Sequence, residues 1–159
     1  MNNATHIDIS LQVLKQFRLI YGSVKRQFRH IEKSCGISGS QLWLLQEIAK
    51  SPGIGVSELA KRLSIHLSTC SLLVAKLKTR KLVVKNRSQS DERRVGLKAT
   101  PAGAKVLLKS PGPAEGVLPV ALQELSEAEL KKLHSSLGKL INNLHLADES
   151  AADSPLGDL

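Results

Sequence analysis

Mainly α with a small β hairpin is the fold class that this 159-residue sequence predicts. Three observations carry the prediction. Apolar residues recur at intervals of three and four through long stretches at both ends of the chain, which is the mark of amphipathic helices. Between them lie two shorter helical patterns separated by the turn Ser64-Ile65-His66, then two β-branched runs that enclose a polar loop. Finally, the whole formal net charge of +9 sits in one segment: Lys61 to Lys98 holds eleven Lys or Arg residues against Asp91 and Glu92, while the remaining 121 residues carry twelve bases and twelve acids. Helix, turn, helix and hairpin in that order are the layout of a winged helix-turn-helix. A local basic field is the expected footprint of a face that binds a polyanion, so charge and pattern point to DNA independently.

The length suits one domain with its own core and is too short for two independent ones. Only four aromatics (Phe17, Tyr21, Phe28, Trp43) are available to fill that core, so Leu, Ile, Val and Ala must do most of the packing. No apolar run approaches the roughly 18 residues of a membrane span. The start, Met-Asn-Asn-Ala-Thr-His, lacks the basic and apolar regions of a signal peptide, so a soluble, cytoplasmic protein with no membrane partner is expected. Two cysteines, Cys35 and Cys70, make no disulfide framework, and neither has metal-ligand spacing. A Gly-rich phosphate loop, a His-Glu-x-x-His pair and a nucleophile elbow are all missing from the sequence. No enzyme, metal or cofactor is expected.

Taken in order, Ile7, Leu11, Leu14, Phe17, Tyr21, Val24, Phe28 and Ile31 predict a helix of about 25 residues with a continuous apolar seam, ending before Gly36. A second helix, capped by Ser38 or Ser40, runs to about Ala49 with Leu42, Leu45 and Ile48 as its buried row, and Ser51-Pro52-Gly53 ends it. After a short extended link, Ser57 is the expected N-cap of a positioning helix through Leu63, with Glu58 at the positive end of its dipole. The next helix spans Leu67 or Ser68 to Arg80. Its buried row is Cys70, Leu73, Val74 and Leu77, which leaves Ser68, Thr69, Ser71, Leu72 and Lys76 pointing outward, toward a major groove if DNA is present. His66, just before it, is placed to touch a phosphate.

Residues 82–86 and 93–99 read as the two strands of a wing around the polar loop 87–92, with Arg87 and Arg94 among the cations flanking its tip. Thr100-Pro101 opens a helix that Ser110-Pro111-Gly112-Pro113 must break. A further helical piece, about Ala114 to Leu125, contains Gly116 and Pro119. Ser126-Glu127-Ala128-Glu129 is a capping box for the last helix, where Leu130, Leu133, Leu137, Leu140 and Leu144 form a heptad seam. These patterns divide the chain into dimerisation helices (1–36 and 101–146), a winged helix-turn-helix (37–100) and an acidic tail (147–159) expected to be disordered.

The order of elements from about Ile7 to Leu146 resembles the MarR family of bacterial transcriptional regulators. Local matches are Ser57-Glu58-Leu59-Ala60, then Ser68-Thr69-x-Ser71-x-x-Val74-x-x-Leu77, then Asp91-x-Arg93-x-x-x-Leu97-x-x-Thr100-Pro101-Ala102-Gly103. The resemblance implies a triangular homodimer on a pseudo-palindromic operator in double-stranded DNA, with recognition helices in successive major grooves and wings in the flanking minor grooves. It implies that Arg93 enters the minor groove and that Asp91 orients it, which suits a guanidinium at a hairpin tip held by a nearby carboxylate. It also implies a cleft for a small-molecule effector, with Phe17, Tyr21 and Trp43 as candidates, and places Cys35 near the region where some members carry a peroxide-sensing thiol. Three positions depart from the family pattern: Leu72 stands where many relatives have arginine, Lys81 takes the usual helix-ending glycine position, and Pro111 to Pro119 breaks the penultimate helix. The functional expectation is a dimeric, sequence-specific DNA-binding repressor released by an effector. The other readings are a redox-sensing repressor using Cys35, and a basic protein-interaction module without specific DNA binding.

Overall fold

The computed structural model describes residues 3–87, 95–145 and 148–158, with the side chains of residues 3, 4, 87, 95 and 158 left aside. Seven helices and one antiparallel hairpin follow one another: α1 (Asn3–Cys35), α2 (Gly39–Lys50), α3 (Val56–Leu63), α4 (Leu67–Thr79), β1 (Val83–Arg87), β2 (Val95–Ala99), α5 (Pro101–Leu107), α6 (Val117–Gln123) and α7 (Glu127–Asn142). Among the described residues no helix is long and apolar enough to cross a membrane.

The core is the winged head. Leu42, Leu44, Leu45 and Ile48 of α2 interlock with Leu59 and Leu63 of α3, with Cys70, Leu73, Val74 and Leu77 of α4, and with Val83 and Leu97 of the hairpin. The buried row of α4 is the one its spacing predicts. Ser38 caps α2 in a reciprocal box with Gln41. Two helix ends inside the head close by Schellman motifs. At the helix-turn-helix turn, Ser64 N–H bonds Lys61 O and Ile65 N–H bonds Ala60 O; at the end of α4, Lys81 N–H bonds Lys78 O and Leu82 N–H bonds Leu77 O. Both motifs put a residue with a β-carbon in the left-handed region, Ser64 at φ 51° and Lys81 at φ 59°.

The hairpin pairs Val83 with Ala99 through Arg87 with Val95. Beside it, Gly53 N–H donates to Leu97 O at 2.7 Å and Leu97 N–H to Ile54 O at 2.9 Å, so the turn after α2 lends a third, single-bridge edge to the wing. Gly96 makes this possible: a β-carbon there would lie 2.3 Å from Gly53 O. Thr100 caps α5 and also donates its hydroxyl to Lys81 O at 2.8 Å, which binds the end of the wing to the end of α4.

Several expectations are corrected. The N-cap of α3 is Gly55 rather than Ser57, because Val56 already enters the helix as Ile54 leaves the sheet edge. The N-cap position of α4 is held by His66, without a side-chain bond, and its first residue is Leu67. Pro119 does not break α6, since it is the third residue of the helix, where no intrahelical acceptor is lost. The tail is not without structure: Glu149–Asp153 and Leu156–Asp158 form 3-10 turns, and Pro155 is buried.

Helix α1 is longer than its spacing suggested and uses only its C-terminal part against this chain. Every residue from Thr5 to Tyr21 is exposed, whereas Ile31 and Cys35 are buried against the head. Gln27 of α1 fixes the broken α5–α6 connection, donating from Nε2 to Pro113 O at 3.1 Å and accepting Val117 N–H at Oε1, 2.6 Å away. Helix α7 opens with the predicted capping box, Ser126 with Glu129, and buries no residue at all.

Candidate nucleic-acid interface

Outward from the buried row of α4, the structure places Ser68, Ser71, Leu72 and Lys76 on the exposed side, with Thr69 half-buried beside them. Leu72 is 57% exposed, an apolar side chain held in water. The same face also carries Leu67, Ala75 and Thr79, which the sequence reading passed over. The signal was present, because 68, 72, 75 and 79 form one i, i+3, i+4 row opposite the core. Small Ala75 in the middle of that row lets the helix approach a partner closely.

The start of α4 is free of acids in its first turn, and its cap residue His66 makes no side-chain cap bond. His66 is exposed at the mouth of an open hollow shared by Lys61, Ser64, Ile65 and Leu67. Its imidazole Nε2 lies 3.2 Å from Asp153 Oδ2 of the tail, an unexpected neighbour. At the other end, Lys76 and Lys78 stand in the last turn, where the helix dipole favours cations.

Not every cation of the basic segment faces outward for a partner. Arg62 is held within the head, with its guanidinium 2.6 Å from Glu58 Oε1 and donating to Ser51 Oγ at 2.7 Å, so it ties α3 to the end of α2. Arg80 donates to the carbonyl of Gly36, joining the end of α4 to the end of α1. Asp91, Arg93 and Arg94 lie outside the described residues, and of Arg87 only the backbone, paired with Val95, is described.

The candidate effector residues are not brought together. Trp43 lines a cleft with Val24, Gln27 and Phe28 of α1, Val117 and Leu118 of α6, and Pro155 to Gly157 of the tail. Phe17 and Tyr21 stay on the exposed part of α1, with Lys25 Nζ set 5.7 Å from the centre of the Tyr21 ring. The cleft holds about 40 Å³ of free space. Small-molecule pockets run to roughly 300–1,000 Å³, so this one is closed as it stands. Both cysteines are buried free thiols. Burial pushes Cys35 upward in pKa, opposed only by the Lys109 ammonium, and pushes Cys70 up to about 11; Cys70 also reaches Val56 O at 3.6 Å. No group of three or more metal-ligating side chains occurs among the described residues.

A sequence model of the MarR family matches residues 36–94, from the end of α1 to the edge of the second wing strand. A protein of Thauera aromatica named for transcriptional regulation of the hcr operon is 34% identical over 85 residues, 53% of this chain and 51% of that protein. Over that segment the chain is similar to the MarR family. It spans about half the length of that curated relative. The likeness in fold to solved structures extends over most of the chain. The transcriptional regulator BldR from Sulfolobus solfataricus superposes with a TM-score of 0.53 at 26% identity, covering 90% of this chain and 99% of that one. S. aureus MepR, in its DNA complex, superposes at 0.56 with 22% identity, covering 81% and 94%, a likeness of fold alone. The family match falls on the winged head and stops before α5, where the broken α5–α6 connection begins.

Proposed function

We propose that this chain is a MarR-type regulator: dimeric, sequence-specific in DNA binding, acting as a repressor and released from its operator by a small-molecule effector. The observation that carries the reading is the exposed row of Ser68, Ser71, Leu72, Ala75, Lys76 and Thr79 on α4, set in the segment that holds the whole net charge. In this reading Ser71 and Thr69 meet base edges, Leu72 meets a thymine methyl, and Lys76 meets phosphate. His66 and the open first turn of α4 take a further phosphate. Arg93, oriented by Asp91, enters the minor groove, and Arg87 and Arg94 position the wing. The exposed half of α1 and the leucine seam of α7 supply the interface with a second copy. An effector site between α1 and α6, beside Trp43, requires the small cleft there to open. Thiol sensing at Cys35 is not carried forward, because sensing thiols are accessible and acidic, whereas this one is buried with its pKa raised.

Titrating random and genomic upstream duplexes over a range of salt tests the reading. The logarithm of affinity should fall linearly with the logarithm of salt, with a slope of roughly 0.9 per phosphate neutralised, and one sequence should persist longest. A response independent of salt would favour the protein-interaction alternative. Arg93→Ala should cost roughly 1 to 3 kcal/mol on the preferred duplex.

A further inference from the structure

We propose that the acidic tail is a tethered competitor of DNA, seated on the reading head by an apolar anchor beside Trp43 and by Asp153 at the start of α4. The inference rests on the reading of α4 as the DNA-binding helix. From residue 147 onward the sequence holds four acids and no base, in a chain whose positive excess lies entirely in the head. The structure brings these opposites into contact at one place. Asp153 accepts the backbone N–H of His66 at its carbonyl, 3.1 Å away, and presents its carboxylate 3.2 Å from His66 Nε2. The carboxylate therefore stands beside the imidazole at the start of α4, the side chain proposed above to take a phosphate.

Two to four residues further on, the tail is anchored. Pro155 is buried, and Gly157 packs so closely on α2 and α1 that a β-carbon there would lie 3.0 Å from Ser40 Oγ and 3.3 Å from the Phe28 ring. Asp148 closes the upstream turn by accepting both the N–H and the hydroxyl of Ser150. The anchor therefore forms one wall of the cleft that Trp43 also lines, while Asp153 reaches the start of α4. Anything that displaces Pro155 to Gly157 from the cleft withdraws Asp153 from His66, so occupancy of the cleft and access to α4 are coupled through the tail. The His66–Asp153 contact is largely exposed on both sides, so its effect is modest, and a full operator overcomes it.

Three variants of the full chain test this, with Trp43, the only tryptophan, as reporter of docking. Gly157→Val should unseat the anchor, shift Trp43 emission to the red and tighten duplex binding at low salt by roughly two- to five-fold, the range of an exposed ion pair. Asp153→Asn should give a similar gain without the emission shift, and the double variant should gain no more than Gly157→Val alone. Glu149→Gln makes the same charge change away from His66 and should leave affinity near that of the parent. Equal gains for Glu149→Gln and Asp153→Asn would overturn the proposal in favour of a general charge effect. An emission shift with unchanged affinity, or neither change in Gly157→Val, would overturn it as well. If the parent and all variants bind no duplex, the reading of α4 itself fails and this inference falls with it.

Discussion

At the level of single residues, the basic segment separates into cations that hold the fold and cations that face outward. Arg62 is committed to Glu58 and Ser51 within the head, whereas Lys76 stands on the exposed face of α4. Arg62→Ala should lower thermal stability by up to about 1 kcal/mol and leave the salt dependence of DNA binding nearly unchanged. Lys76→Ala should do the reverse, reducing the salt slope by about 1 with little loss of stability. Calorimetry beside salt titration distinguishes the two, and a shared pattern would mean the sorting is mistaken. Lys81 carries a different kind of strain. Its φ of 59° in the Schellman turn is a conformation that costs an L-residue roughly 1 kcal/mol or more, since the β-carbon crowds the following carbonyl. Lys81→Gly should therefore stabilise the chain by about 0.5 kcal/mol, after the larger backbone entropy of glycine in the unfolded state is subtracted. A lower denaturation midpoint for the glycine variant would contradict that account.

Among the elements, α1 and α7 are the two that this chain alone cannot satisfy. Leu11, Leu14 and Phe17 of α1, Leu140 of α7 and Leu144 just past its end are exposed, although each would contribute roughly 1.5 to 3 kcal/mol if fully buried. Regular seams left open on both terminal helices support a second copy as their cover. Changing Leu137 and Leu140 together to Ser should shift the protein to monomers in sedimentation and weaken operator binding in parallel, because two heads lose their fixed spacing. Persistence of the dimer would place the interface elsewhere. The α5–α6 connection shows how an interrupted element can still be rigid. Its prolines end α5, and Gln27 then bonds both sides of the break, so the chain stays attached to α1 without a continuous helix.

For the whole molecule, the feature that matters is how the head is joined to the helices outside it. Arg80 joins the ends of α4 and α1, Gln46 donates to Glu115 across to the α5–α6 connection, and the tail returns over α2 to reach His66. The end of α4 is thus tied directly to the end of α1. If folding and dimerisation are linked in this way, the unfolding midpoint should rise with protein concentration, as mass action requires of a dimer that unfolds to monomers. A midpoint constant over a hundred-fold range of concentration would argue for a self-sufficient monomer.

The sequence by itself determined the elements whose causes are local. The period of the apolar residues set α2 and the buried row of α4, Thr100-Pro101 and the Ser126–Glu129 box set two helix starts, and charge counting marked the segment for which an interface is proposed. It misjudged features that depend on residues distant in the chain. Ser57 lost the cap position because Ile54 is held by Leu97, forty-three residues on, and a charge count does not show that Ser51 and Glu58 engage Arg62. Phe17 and Tyr21 share the period of Val24 and Phe28, yet only the latter pair reaches the cleft, since the head extends along just one end of α1. The tail was read as disordered because its composition contains too little apolar surface to order itself. Only the tertiary structure decided otherwise, by supplying from α1, α2 and α4 the partners that Asp153, Pro155 and Gly157 lack among their own neighbours in sequence.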